Sequence, residues 1–248
     1  MSSVNLTSLG ANQVKSTTSG EMVEIGSLWQ EQTVVLFFLR RFGCQVCRWM
    51  SAEVSKLEKD LKANGVALIG IGPEETGVKE FMDGGFFKGE IYIDEKKQCY
   101  KDLGFKRYNA VNVIPAAMGK KVREIASKAS AEGIQGNFSG DLLQSGGMLI
   151  VAKGGEKVLL HFVQKSPADN ISLEDMTKAL GISANVQAGE KPQASTRHTE
   201  ESVLCRSVTQ YMSTVSCSVK KGLNLSDVGA QMLWLIAMKM FVHDRRLF

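Results

Sequence analysis

Neither sign of charge dominates this chain of 248 residues, and no long hydrophobic run crosses it. Thirty Lys and Arg stand against 26 Asp and Glu, and residues 1–191 alone carry 23 basic and 22 acidic side chains. So neutral a body has no electrostatic footprint for nucleic acid. The longest apolar stretch near the C-terminus, Met232 to Val242, is interrupted by Lys239. That is about half of the ~20 residues a membrane-spanning helix needs, so no span is expected. The N-terminus, MSSVNLTSLGANQVK, has no basic region leading into an apolar one, so no secretory signal is expected. It begins Met-Ser rather than Met-Gly, so N-myristoylation is not expected. The five cysteines are an odd number, which argues against a secreted disulfide framework and for a reducing compartment, the cytosol. A P-loop is missing, and so is a Gly-x-Ser-x-Gly nucleophile elbow around Ser145. Gly70-Ile71-Gly72 follows an apolar run, but Glu75 holds the place of the third glycine, so the dinucleotide fingerprint is incomplete.

What is present is ample apolar material, 44% of the residues, with 23% charged: enough for one full core. Thr33 to Arg40 (TVVLFFLR) reads as a strand covered on both faces. Val46, Met50, Val54, Leu57 and Leu61 fall on one helical face, and Asn64-Gly65 ends that helix. Val66 to Ile71 and Ile91 to Ile93 read as further strands, with short helices over 76–82 and 97–103. Residues 105–140 fit the alternation poorly. They read as an insertion, helix-compatible over Lys120 to Ala131 and loosened by Gly133, Gly136 and Gly140. The aromatic-rich middle, Phe86 to Tyr108, is expected to be mostly core. Met148 to Ala152 and Lys157 to Val163 are strands joined through Gly154-Gly155, a hairpin signal. Ser172 with Asp175 resembles a capping box opening a last helix. The order predicts an α/β fold with a mixed sheet flanked by helices. Residues 1–187 form the expected domain; 188–248 read as a polar linker and divergent tail, expected to be disordered and dispensable.

Cys44-Gln45-Val46-Cys47 stands where the first buried strand ends and a helix begins. A cysteine there faces unpaired backbone N–H groups and the positive end of the helix dipole, and both favour thiolate. Arg40, Arg41 and Arg48 add positive charge close in sequence. Such surroundings lower a thiol pKa from ~8.5 to roughly 3.5–7.5. The expected chemistry is attack by Cys44, as the more exposed of the two, and resolution by Cys47 as a disulfide. Two alternatives stand beside it. A zinc site would need two further ligands; Cys99 and His161 are available, although their spacing does not point to one. The other alternative, also weaker than the redox reading, is a pair of buried structural thiols. His161 reads as a hydrogen-bonded structural residue and Cys99 as half-buried packing. Cys205, Cys217, His198 and His243 lie in the unpatterned tail.

Four strings, LRRFGCQVCRW, GEIYIDEKKQCYKDLGFKRYN, GIQGNFSGDLLQSGG and VLLHFVQKSP, resemble the peroxiredoxin-like 2 family. The resemblance runs from about Met1 to about Ala184. It implies a thioredoxin-like fold and a cytosolic, thiol-dependent reductase, with Cys44 and Cys47 matching the redox pair. It further implies reduction of the endoperoxide of prostaglandin H or prostamide H to the F-type diol, with NADPH as reductant and thioredoxin as a possible electron donor. A monomer without a metal is expected. Arg41 stands where ordinary peroxiredoxins carry the threonine of a T-x-x-C pattern, and Ser145-Gly146-Gly147 where thioredoxins carry a cis-proline. A general thioredoxin-like peroxidase or disulfide reductase, and a non-enzymatic thioredoxin-fold binding protein, are the competing functions.

Overall fold

The computed structural model describes residues 4–109 and 119–183. The chain opens with helix α1 (Leu6–Gly10), strands β1 (Gln13–Ser16) and β2 (Met22–Glu24) and a 3-10 turn over Ile25–Trp29. Then follow β3 (Thr33–Phe38), α2 (Gln45–Ser55), α3 (Glu58–Ala63), β4 (Val66–Gly72), α4 (Val78–Asp83), β5 (Glu90–Ile93) and α5 (Gln98–Asp102). After the undescribed stretch come α6 (Lys120–Ala131), the hairpin β6 (Gly147–Val151) and β7 (Val158–Val163), and α7 (Leu173–Leu180).

Seven strands form one sheet in the order β2-β1-β5-β4-β3-β6-β7. The pairs β3–β4 and β4–β5 are parallel, while β6 pairs antiparallel with β3 and β7 antiparallel with β6. This is the mixed sheet of a thioredoxin-like fold. β3 is apolar throughout because it is central and covered on both faces. Val35 and Phe37 enter the core under α2; Val34, Leu36 and Phe38 enter the core on the opposite face, with Trp29 and Tyr100.

The helix expected from Val46 to Leu61 is broken into α2 and α3. Ser51 Oγ donates to Cys47 O and Ser55 Oγ to Ser51 O, each at 2.8 Å. Such back-bonding to the carbonyl four residues earlier bends a helix. Ser55 Oγ also accepts Lys88 N–H at 3.0 Å, which draws the break toward the chain leading into β5. The hairpin turns where expected, with Gly154 and Gly155 both at positive φ (71° and 72°). Ser172 Oγ accepts Asp175 N–H at 3.0 Å, so the cap of α7 forms as read.

The N-terminal strands extend the sheet beyond β5, since β1 pairs antiparallel with both β5 and β2. The insertion expected before the hairpin holds α6, which packs against α2. The tail, with Cys205, Cys217, His198 and His243, lies outside the described residues.

Candidate active site

The parallel end of the sheet delivers the cysteine pair. At the ends of β3 and β4, Tyr100 Oη donates to Leu39 O at 2.7 Å and to Ile71 O at 2.8 Å. The chain then turns through Arg40, Arg41, Phe42 and Gly43. Phe42 is fully buried and packs on Phe81, with ring centroids 5.0 Å apart. Cys44 is the N-cap of α2: its backbone is extended and its Sγ accepts Cys47 N–H at 3.3 Å. A sulfur in this position satisfies an orphan donor of the helix and sits at its positive end.

The two thiols are almost equally buried, Cys44 with 6% and Cys47 with 4% of its surface exposed. Exposure therefore does not distinguish the two; hydrogen bonding does. Donation from the Cys47 thiol holds the Cys44 pKa well below the usual thiol value; burial opposes this, while Arg40, Arg41 and the Cys47 N–H assist. Burial and donation to Cys44 push Cys47 well above it. The arrangement favours ionisation of Cys44 over Cys47.

Three arginines close to the pair in sequence are buried: Arg40, Arg41 and Arg48 are each no more than 5% exposed. Their hydrogen bonds run chiefly to main-chain oxygens of the segment after α6. Arg40 Nη1 donates to Leu142 O (3.1 Å) and Gln144 O (2.9 Å). Arg41 Nη1 donates to Asn137 O (2.6 Å) and Ser139 O (2.9 Å). Arg48 donates from Nε to Phe42 O and from Nη1 to Gln135 O, each at 2.8 Å. Its Nη2 lies 2.8 Å from Glu80 Oε1, an ion pair by distance, although the N–H direction misses a hydrogen bond. Two further bonds fasten the segment: Asn137 N donates to Gly43 O at 2.6 Å, and Gln45 Nε2 to Ile134 O at 2.9 Å.

This segment is the part of the site that sequence reasoning missed. Its glycines read as looseness, yet Gly136 is a point of close approach: a Cβ there would lie 2.5 Å from Gln45 N. A glycine where another backbone approaches is the signal that was available.

A cavity of about 220 Å³ lies along α2, beginning within a turn of Cys47. Phe37, Trp49, Met50, Val54, Met148 and Phe162 give it an apolar lining, with Glu53, Gln164 and Asn170 among the polar groups. Neither cysteine lines it. Trp49 is fixed above by donation from Nε1 to Glu132 Oε1 at 3.0 Å.

The remaining candidates stand apart from this site. His161 is half-buried, with Nε2 3.1 Å from Leu103 O, and burial lowers its pKa. Cys99 is fully buried rather than half-buried, and burial beside Asp94 pushes its thiol far up. Among the described residues no cluster of three His, Cys, Asp or Glu is placed to hold a metal. No helix of the described residues is long and apolar enough to cross a membrane.

The residues present do not fit a directly bound dinucleotide at the one partial glycine motif. A Cβ on Gly72 would run into the Phe42 ring, and one on Gly70 would lie 3.0 Å from the Phe87 ring. These glycines make room for core aromatics, where a dinucleotide fold would leave backbone open to a pyrophosphate.

Comparison with known proteins places this geometry in a family. The family described as AhpC/TSA antioxidant enzyme matches residues 53–166, beginning just after the cysteine pair. A prostamide/prostaglandin F synthase of Danio rerio is 90% identical over 193 residues, covering 78% of this chain and 96% of that protein. The namesake of Salmo salar is 72% identical with the same coverage, and that of Homo sapiens 57% identical, with 98% of it covered. The chain belongs to the family of the prostamide/prostaglandin F synthases.

Proposed function

We propose that this chain is a cytosolic dithiol reductase that opens the endoperoxide bridge of prostaglandin H or prostamide H to give the F-type diol. The substrate follows from the name its relatives bear, and the mostly apolar lining of the cavity along α2 is compatible with a lipid. The observation that carries the mechanism is the Cys44 N-cap: its Sγ accepts the Cys47 N–H, and its pKa is held well below the usual thiol value.

Cys44 Sγ attacks one bridge oxygen. An S–O bond forms, the O–O bond breaks, and the expelled oxygen leaves with the electron pair and takes the proton of the Cys47 thiol. The Cys47 thiolate then attacks Cys44 Sγ. The S–S bond forms, the S–O bond breaks, and the second oxygen takes a proton from water. Two thiols have become a disulfide and the bridge two hydroxyls, a balanced two-electron exchange. An external dithiol must reopen the disulfide. Since the partial glycine motif does not fit a dinucleotide, we assign this to thioredoxin, with NADPH acting upstream of it.

The test is a single turnover of prostaglandin H by the prereduced protein without NADPH, followed by a thiol count. One equivalent of F-type product and two thiols lost are expected in the wild type, with no turnover in Cys44→Ser at unchanged fold. No product, with both thiols still free, would overturn the reading. The AhpC/TSA match favours a general peroxidase as the second reading. Faster turnover of hydrogen peroxide than of the endoperoxide would establish that instead.

A further inference from the structure

Protein interiors hold few voids larger than a water molecule, so the cavity of about 220 Å³ along α2 calls for an account. Its walls come from four elements: Phe37 of β3, Met50 and Val54 of α2, Met148 of β6 and Phe162 of β7. Phe37 and Met148 are partners in the β3–β6 register. The buried part of this wall is continuous with the redox pair: Phe37, Cys44, Cys47, Met50, Val54 and Met148 belong to one packed side-chain cluster. Cys47, Met50 and Val54 follow one face of α2, which advances about 5.4 Å per turn. The cavity thus starts one turn beyond Cys47 and runs on along the helix.

Three polar side chains of the wall are already engaged. Gln164 accepts Gly146 N–H at Oε1 (3.0 Å) and donates from Nε2 to Asp169 O (2.9 Å). Ser172 caps α7 and donates to Asp175 Oδ2 at 2.6 Å. Glu53 pairs with Lys56 at 2.5 Å. Among the described residues that line the cavity, Glu53 alone carries a charge. A carboxylate brought inside would meet another carboxylate, with no cation in the wall. A chain ending in methyl would meet phenyl, thioether and isopropyl groups. The volume is below the ~300–1,000 Å³ of sites that take a whole drug-sized ligand, so one hydrocarbon chain fits rather than an entire lipid.

We propose that this cavity binds the methyl-ended chain of the endoperoxide lipid and leaves the other chain outside. This rests on the substrate reading above. Prostaglandin H and prostamide H share the methyl-ended chain. They differ at the end of the other, a carboxylate in the first and a neutral amide in the second. A subsite for the shared chain lets one protein take both, and the group that differs never enters the apolar wall. With the chain laid along α2, the ring and its O–O bridge are held at the end of the cavity that adjoins the first turn of the helix.

Octanoate and octanedioate have chains of one length, and only octanoate has a methyl end. Titrated into the full-length protein, octanoate should change Trp49 emission saturably, because the indole lines the cavity, and Trp49→Phe should lose that change. Octanedioate should bind at least about ten-fold more weakly. Val54→Phe fills the cavity. It should weaken octanoate and raise KM for prostaglandin H and for prostamide H by one common factor, about ten-fold or more, with Cys44 alkylation by iodoacetamide within about two-fold of wild type. If Val54→Phe does not fold, Val54→Ala enlarges the cavity instead and should move the best-bound fatty acid to a longer chain. Equal binding of octanoate and octanedioate, Trp49 emission indifferent to octanoate, or a KM change confined to one of the two substrates would overturn the proposal. Octanoate binding in a protein inert toward the endoperoxide would refute the substrate reading alone. Turnover of the endoperoxide without octanoate binding would refute the chain subsite alone.

Discussion

Arg48 and Glu80 meet at 2.8 Å across the boundary of the interior, the guanidinium 3% exposed and the carboxylate 56%. The carboxylate reaches Arg48 from α4, while the same guanidinium is bound to Phe42 O and Gln135 O and lies 5.0 Å over the Phe86 ring. One side chain from the first turn after the cysteines thus joins the strand-to-helix turn, the segment after α6 and the chain before β5. Arg48→Lys cannot reproduce this fork, because an ammonium has no fixed set of divergent donors. The ion pair itself adds little, with Glu80 largely in water. Losing the two hydrogen bonds to carbonyls is expected to destabilise the protein by about 2–3 kcal/mol in urea unfolding. A loss under about 0.5 kcal/mol would show the contacts to be dispensable.

The thiol pair sets a pH dependence with a definite sign. Cys44 is depressed below its ordinary value of 9.0, so its contribution to stability is complete above that value and disappears as pH falls through the folded pKa. The stability gap between wild type and Cys44→Ser should accordingly narrow toward acid. Cys47 is raised, so its contribution is complete below 9.0 and lost as pH climbs. Denaturant midpoints across pH 4–10 check both arms. Iodoacetamide at neutral pH should label Cys44 and spare Cys47. Labelling of Cys47 first would reverse the assignment.

Gly136→Ala puts a methyl group 2.5 Å from the backbone nitrogen of Gln45, where no side chain can yield. Overpacking of this kind costs about 1–3 kcal/mol. Because the clash falls on the seam with α2, amide exchange over residues 134–144 should accelerate more than exchange in β6. Uniform acceleration would mean that the seam is not a separable unit.

Tyr100→Phe removes the hydroxyl that serves Leu39 O and Ile71 O. Leaving Leu39 O without that partner should destabilise by about 1–3 kcal/mol, read from thermal unfolding. Burial, with Asp94 and Cys99 nearby, holds the Tyr100 pKa well above 10.0. The phenol's contribution is therefore complete below about pH 10 and fades above it, and the variant should lose this alkaline arm.

The strand, the turn and the cysteine spacing were legible because each is a local pattern: β3 is apolar on both faces, and Cys44 directly precedes α2. The hairpin at Gly154-Gly155 and the cap at Ser172 were legible for the same reason. The break after Ser55 was not, because it depends on two serine hydroxyls turning back on the helix and on Lys88, 33 residues away. The first strands were not, because β1 and β2 are three or four residues long and alternate weakly. Three arginines near the cysteines were visible, but their partners lie 87 to 104 residues downstream for most of their bonds, and those partners are carbonyls, which every residue has.

That last point has a consequence for how this protein can change. Arg40, Arg41 and Arg48 grip main-chain oxygens, so the hold on residues 134–144 is blind to side-chain identity. Most of that segment can be rewritten, and a different surface offered beside the redox pair, without altering what the guanidiniums see. Gly136 is one exception, since its neighbour is backbone too; Ile134 and Gln144, which are buried, and Asp141, which pairs with Lys97 and Arg107, are others. A library randomised over 134–144 with Ile134, Gly136, Asp141 and Gln144 kept would vary the rim of the site while leaving the charges around Arg40 where they are.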